Sequence, residues 1–161
     1  MSGARQSQLY GLLALAVVIA GCGGSGYTKS DFVARADAIC TSTLRQTRAL
    51  TPPASTSEPG GALAAYLGQL VPLVQSEADQ LRALRRPPEN ARDGAALTAY
   101  YRALTQTVES YRQLEAAAKR GDTQTVTDVE AALRASPVTA LAASYGLRSC
   151  GTPGSTSVSS G

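Results

Sequence analysis

Catalysis in a protein of this size needs a nucleophile beside a base, a positioned pair of carboxylates or a ligand set for a metal, and the 161-residue chain contains no histidine. Without an imidazole, neither a Ser/His/Asp nor a Cys/His unit can be assembled. Histidine-based zinc, copper and carboxylate di-iron sites go with it. Haem held by His or Met fails too, because Met1 is the single methionine. No cofactor or metal is therefore expected, and the chain does not read as an enzyme. The carboxylate pairs Glu77 with Asp79 and Glu109 with Glu115 are spaced by two and six residues, which puts neither pair on one helical face. They read as solvated surface charges rather than as an acid with its base.

Tyr66, Tyr100, Tyr101 and Tyr111 admit two readings. They could line a groove between neighbouring helices for a glycan or peptide, or fill the core with their hydroxyls at its rim, as tyrosine does where phenylalanine is scarce. The second is the plainer one. Arg82, Arg85 and Arg86 form a small basic cluster that could meet anionic headgroups, although three arginines at a helix end serve more simply as dipole partners and in ion pairs.

The three cysteines separate into two kinds. Residues 1–8 carry Arg5 and the amino terminus as positive charges, and residues 9–21, LYGLLALAVVIAG, are apolar but too short to span a bilayer as a helix. Such a segment reads as a signal peptide, without the arginine pair of the twin-arginine route. It ends in Ile19-Ala20-Gly21-Cys22, a branched apolar residue, two small residues and a cysteine. This resembles the lipobox of bacterial lipoproteins, whose thiol accepts a diacylglycerol before the chain is cut at that residue. Lipid on Cys22 is expected to anchor the mature chain to the extracytoplasmic face of the cell membrane. Cys40 and Cys150 then remain in an oxidising compartment. An even pair there implies a disulfide; free thiols or a metal pair are the alternatives, and two sulfurs without histidine make a poor metal site.

These residues must be positioned by helices. The sequence is 43% apolar but has one Phe and no Trp, so Leu, Val, Ala and Tyr must build the core. A first helix opens at Thr28-Lys29-Ser30-Asp31, a capping-box pattern. Phe32, Ala36, Ile39, Cys40, Thr43 and Leu44 recur at helical spacing until Thr51-Pro52-Pro53. A second puts Leu63, Leu67, Leu70, Val74, Ala78 and Leu81 on one stripe, with a kink expected at Pro72, and stops before Pro87. The third carries Leu97, Tyr101, Leu104, Val108, Tyr111 and Leu114 and ends in Lys119-Arg120-Gly121-Asp122, a C-cap glycine followed by an N-cap aspartate. The fourth shows Val126, Val129, Leu133, Leu141 and Tyr145, interrupted at Ser136-Pro137. Acidic residues fall at the proposed starts and basic ones at the ends, complementing the helix dipoles.

The expected architecture is all-α, a four-helix up-down bundle closed by one disulfide. Residues 1–21 are the signal peptide, 22–27 a flexible tether, 28–150 the helical domain and 151–161 a disordered Gly/Ser/Thr tail. Cleavage removes Arg5 alone among the charged side chains and leaves fourteen basic against twelve acidic, too even a balance to imply nucleic acid.

Phe32-Val33-Ala34-Arg35-Ala36-Asp37-Ala38-Ile39-Cys40 near the start and Tyr145-Gly146-Leu147-Arg148-Ser149-Cys150-Gly151 near the end carry a resemblance. The chain resembles small, uncharacterised cell-envelope lipoproteins of high-GC Gram-positive bacteria, with an Asp-Ala-Ile-Cys helix and a closing Tyr-Gly-x-x-x-Cys-Gly. The resemblance implies a helical fold and a Cys40 to Cys150 bridge, and no activity. The function expected is that of a monomeric, non-catalytic protein-interaction module with an envelope protein as partner. The alternative is a lipoprotein that holds a small ligand or lipid in a pocket between helices.

Overall fold

In the computed structural model, residues 26–54 and 61–152 are described. Cys22, the apolar leader and residues 153–161 lie outside them, as does most of the loop before the second helix. Among the described residues all regular structure is helical: α1 (Lys29–Arg48), α2 (Gly61–Ala83), α3 (Ala91–Arg120), α4 (Thr123–Arg134) and α5 (Val138–Tyr145).

The start signals work as the residue types dictate. Thr28 Oγ1 accepts the Asp31 amide at 3.2 Å while the Thr28 amide donates to Asp31 Oδ2 at 2.9 Å, a reciprocal capping box. Asn90 caps α3 through the Asp93 amide at 2.9 Å. Asp122 caps α4 through the Thr125 amide at 3.1 Å. Gly121 takes φ of 67° and closes α3 in the left-handed conformation that a side chain would strain. The helix α2 runs on through Pro72, whose ring lies on its exposed side. The expected fourth helix is two, because Pro137 has no amide to continue α4. Ser136, at that break, shares a hydrogen bond of 2.9 Å with the buried Thr107 of α3.

The 30-residue α3 is the central element: α2, α4 and α5 all pack on it, and α1 packs on α2. Contact with several helices widens its apolar band beyond the stripe expected. Tyr100 is buried where the periodicity put Tyr101, and Tyr101 sits half-buried at the rim. Both assignments keep a three-four spacing from Leu97 to Leu104, so periodicity alone does not choose between them.

Cys40 and Cys150 are bonded, with Cα atoms 5.1 Å apart and 110 residues between them. The two segments that carry the resemblance meet around this bond. Phe32 and Tyr145 pack edge to face at 5.8 Å. Asp37 accepts the backbone amides of Ser149 at 2.7 Å and Arg148 at 3.2 Å. Thr41 donates to Ser149 at 3.0 Å. Gly146 turns the chain at φ 106°, and a Cβ on Gly151 would lie 2.9 Å from the Leu147 carbonyl oxygen, so both glycines are required by the backbone path.

Two boundaries differ from the expectation. Tyr27, assigned to the tether, packs against the core between Arg35 and Arg85, because its ring offers an apolar body that the start of α1 can cover. Gly151 and Thr152, assigned to the tail, continue the closing turn, with the Thr152 amide donating to Ser149 O at 3.2 Å.

Candidate functional site

The tyrosines picked out by type do not form one open groove. Tyr100 and Tyr111 are in the core at 1% and 2% exposure. Tyr66 and Tyr101 are half-buried at its edge. Tyr101 donates its hydroxyl to the Leu81 carbonyl at 2.7 Å, a second donor there beside the Leu84 amide at 3.3 Å. This is the core-filling arrangement. Burial raises all four phenols, that of Tyr101 to about 12, where Arg86 acts against the rise.

Near the two core tyrosines, Tyr100 and Tyr111, lies Glu77. Its position in α2, three residues after Val74 and four before Leu81, lies inside the apolar stripe, and the residue has no exposure. It is therefore not the surface charge its residue type suggests, whereas Asp79, two residues on, is exposed and pairs with Arg82 at 3.1 Å. Glu109 pairs with Arg112 and Glu115 with Lys119, so the remaining acids of the two candidate pairs do serve as helix-surface charges.

Both carboxylate oxygens of Glu77 are buried without a hydrogen-bond partner among the described residues. Thr43 approaches from α1, but its hydroxyl is directed to the Ile39 carbonyl at 3.4 Å. Desolvation pushes the Glu77 carboxyl up from 4.5 to about 7, with Thr43 easing the shift. The same charge raises the phenols of Tyr100 and Tyr111 after burial, and Tyr66 adds to the rise at Tyr111. Glu77, Thr43, Tyr100 and Tyr111 thus make a buried polar group among α1, α2 and α3. A carboxyl so placed can keep a proton near neutrality or receive a donor from a guest. Among the described residues no set of His, Cys, Asp or Glu is grouped to hold a metal, and no helix is long and apolar enough to cross a membrane.

A second polar group lies where α1 and α3 begin. Lys29 bonds Asp93 at 2.9 Å and lies 4.4 Å above the Tyr145 ring, and the Tyr145 hydroxyl donates to Glu89. Burial, then Glu89 itself, raises the Tyr145 phenol. Neither this group nor the Asp37 amide contacts could be read from spacing, since their partners are more than fifty residues apart. Glu77 could have been found, because it interrupts a legible helical stripe.

Comparison of the chain with models of protein families, with curated proteins and with solved structures gave no match.

Proposed function

We propose that the chain is a lipid-anchored lipoprotein of the cell envelope, held through Cys22 at the outer face of the cell membrane, whose helical region is a non-catalytic protein-interaction module. The observation that carries the reading is the Cys40–Cys150 bridge. It suits an oxidising compartment and occupies both cysteines of the helical region, which leaves Cys22, behind the apolar leader, as the thiol for lipid. Tyr100 and Tyr111 fill the interior between helices, so the domain offers a partner its outer surface. The domain reads as an up-down bundle in which α4 and α5 form the fourth rod. Support comes from the Gly121 turn at the end of α3, the Thr107–Ser136 bond within it and the Tyr145–Glu89 bond just before its start.

Glu77 favours a second reading, a small ligand with a donor or cationic group held between α2 and α3, because its oxygens lack partners. One experiment separates the two. A native mass spectrum of the protein, extracted from its own membrane in mild detergent, should carry a diacylglycerol on Cys22 and a second polypeptide. A small-molecule adduct instead would favour the ligand reading, and a chain without diacylglycerol would overturn the anchor.

A further inference from the structure

Most of the basic side chains with assigned contacts are spent on carboxylates: Lys29, Arg82, Arg112, Lys119, Arg120 and Arg134 each reach one. Arg35, Arg85 and Arg86 are held differently. Arg35 and Arg85 lie 5.3 Å and 5.7 Å from the centroid of the Tyr27 ring, and Arg86 lies 5.5 Å from that of Tyr101. All three are exposed. Of the neighbouring acids, Asp79 pairs with Arg82 and Glu89 accepts the Tyr145 hydroxyl, while Asp31, held in the Thr28 capping box, also feels the charge of Arg35 one turn on without an ion pair to it.

A guanidinium laid on an aromatic face is fixed in orientation while its rim of N–H donors stays open, which suits it to phosphate oxygens. Arg35 of α1 and Arg85, between α2 and α3, share the Tyr27 ring, and Tyr27 is near enough to Tyr101, which carries Arg86, to add to the rise of its phenol. The half-buried tyrosines beneath them belong to the residue type that settles at a membrane–water interface. The site is also tied to a particular place in the chain. Tyr27 follows Cys22 by five residues, which cannot stretch beyond about 18 Å. That is roughly two Debye lengths at physiological salt.

We infer that Arg35, Arg85 and Arg86, stacked on Tyr27 and Tyr101, form a docking face for the phosphates of an anionic phospholipid surface, which lays the domain on its own membrane in one orientation. The inference rests on the Cys22 anchor. It adds that the protein contacts the bilayer by side chains as well as by lipid. Three basic contacts of this kind correspond to a preference on the order of 100-fold for anionic over neutral lipid.

The test uses the full lipidated protein in vesicles of phosphatidylcholine alone and in an equimolar mixture with phosphatidylglycerol. Flotation with the neutral vesicles reports the anchor by itself. Amide exchange in the peptide covering Leu84 to Asn90 reports docking, and it should slow several-fold on the mixed vesicles only. The slowing should vanish at high salt and in a variant combining R35Q, R85Q and R86Q that still floats and melts normally. R45Q with R48Q, at the other end of α1, should leave it intact. Equal exchange on the two vesicle types, or protection that survives the triple change, would overturn the docking face while leaving the anchor standing. Failure to float on neutral vesicles would overturn the anchor instead. Protection that requires an added acidic protein would assign the face to that protein.

Discussion

Where α1 meets the closing turn, Asp37 receives two backbone amides, Thr41 meets Ser149 and a covalent bond joins Cys40 to Cys150. Farther along the same helix, on the face turned to α2, Thr43 approaches a buried carboxyl whose oxygens have no full hydrogen bond among the described residues. Both regions set polar groups against the apolar core, the first partly exposed and the second wholly buried. They differ in satisfaction: the first ties its polar groups into a fixed geometry, and the second keeps its desolvation cost unless a proton neutralises the group. The first region should therefore govern how stable the domain is, and the second how that stability depends on conditions.

The sharpest way to break the comparison is Cys40→Ser. The bridge closes a loop of about 110 residues, and the chain-entropy model gives it roughly 4 to 5 kcal/mol. The melting temperature should fall by more than about 10 °C. A calorimetric melt unchanged by the substitution, or by reductant, would remove the bridge from the account.

Next in size is the pH dependence set by Glu77. In the unfolded chain its proton leaves near the ordinary 4.5, and in the folded protein near 7, so within that window the folded state binds more protons. Stability then falls as pH rises through the window, unimpaired below 4.5 and lowest above 7, by about 3 kcal/mol. Glu77→Gln should flatten this slope in urea titrations made on either side of the window. A variant that keeps the wild-type slope would place the titrating group elsewhere.

Asp37→Ala should cost about 2 kcal/mol by leaving the Arg148 and Ser149 amides without their acceptor, with the disulfide still formed. Protection of those amides against exchange is the direct readout, and unchanged protection would show that water replaces the carboxylate at no loss. Smallest is Tyr101→Phe, which deletes one bond to the Leu81 carbonyl at a partly exposed rim, for about 1 kcal/mol. A much larger loss of stability would mean that Tyr101 belongs to the core.

Local chemistry was the legible part. Thr28 with Asp31, Gly121 with Asp122 and the break at Pro137 each depend on residues within a turn or two of one another, and each forms as its types require. Tyr100 and Tyr101 were harder, because the choice depends on how many neighbours α3 has rather than on its own spacing. Glu77 shows a residue type overruling a position: carboxylates are seldom buried, yet the stripe around it leaves no other side for the residue to face. Asp37 and Tyr27 act through partners brought close only by folding, Arg148 and Ser149 in one case and Arg85 in the other.

The bridge between Cys40 and Cys150 also sets an order of events. Contacts among α2, α3, α4 and α5 join helices that follow one another closely along the chain, and such contacts form early and fast. The junction of Phe32 through Cys40 with Tyr145 through Gly151 must instead wait for the whole chain, so it closes last. A molecule synthesised from its amino end has Phe32 and Ala36 available long before Tyr145 exists to cover them. Until the final turn arrives, Phe32 lacks the ring that packs against it and Cys40 lacks the sulfur it bonds.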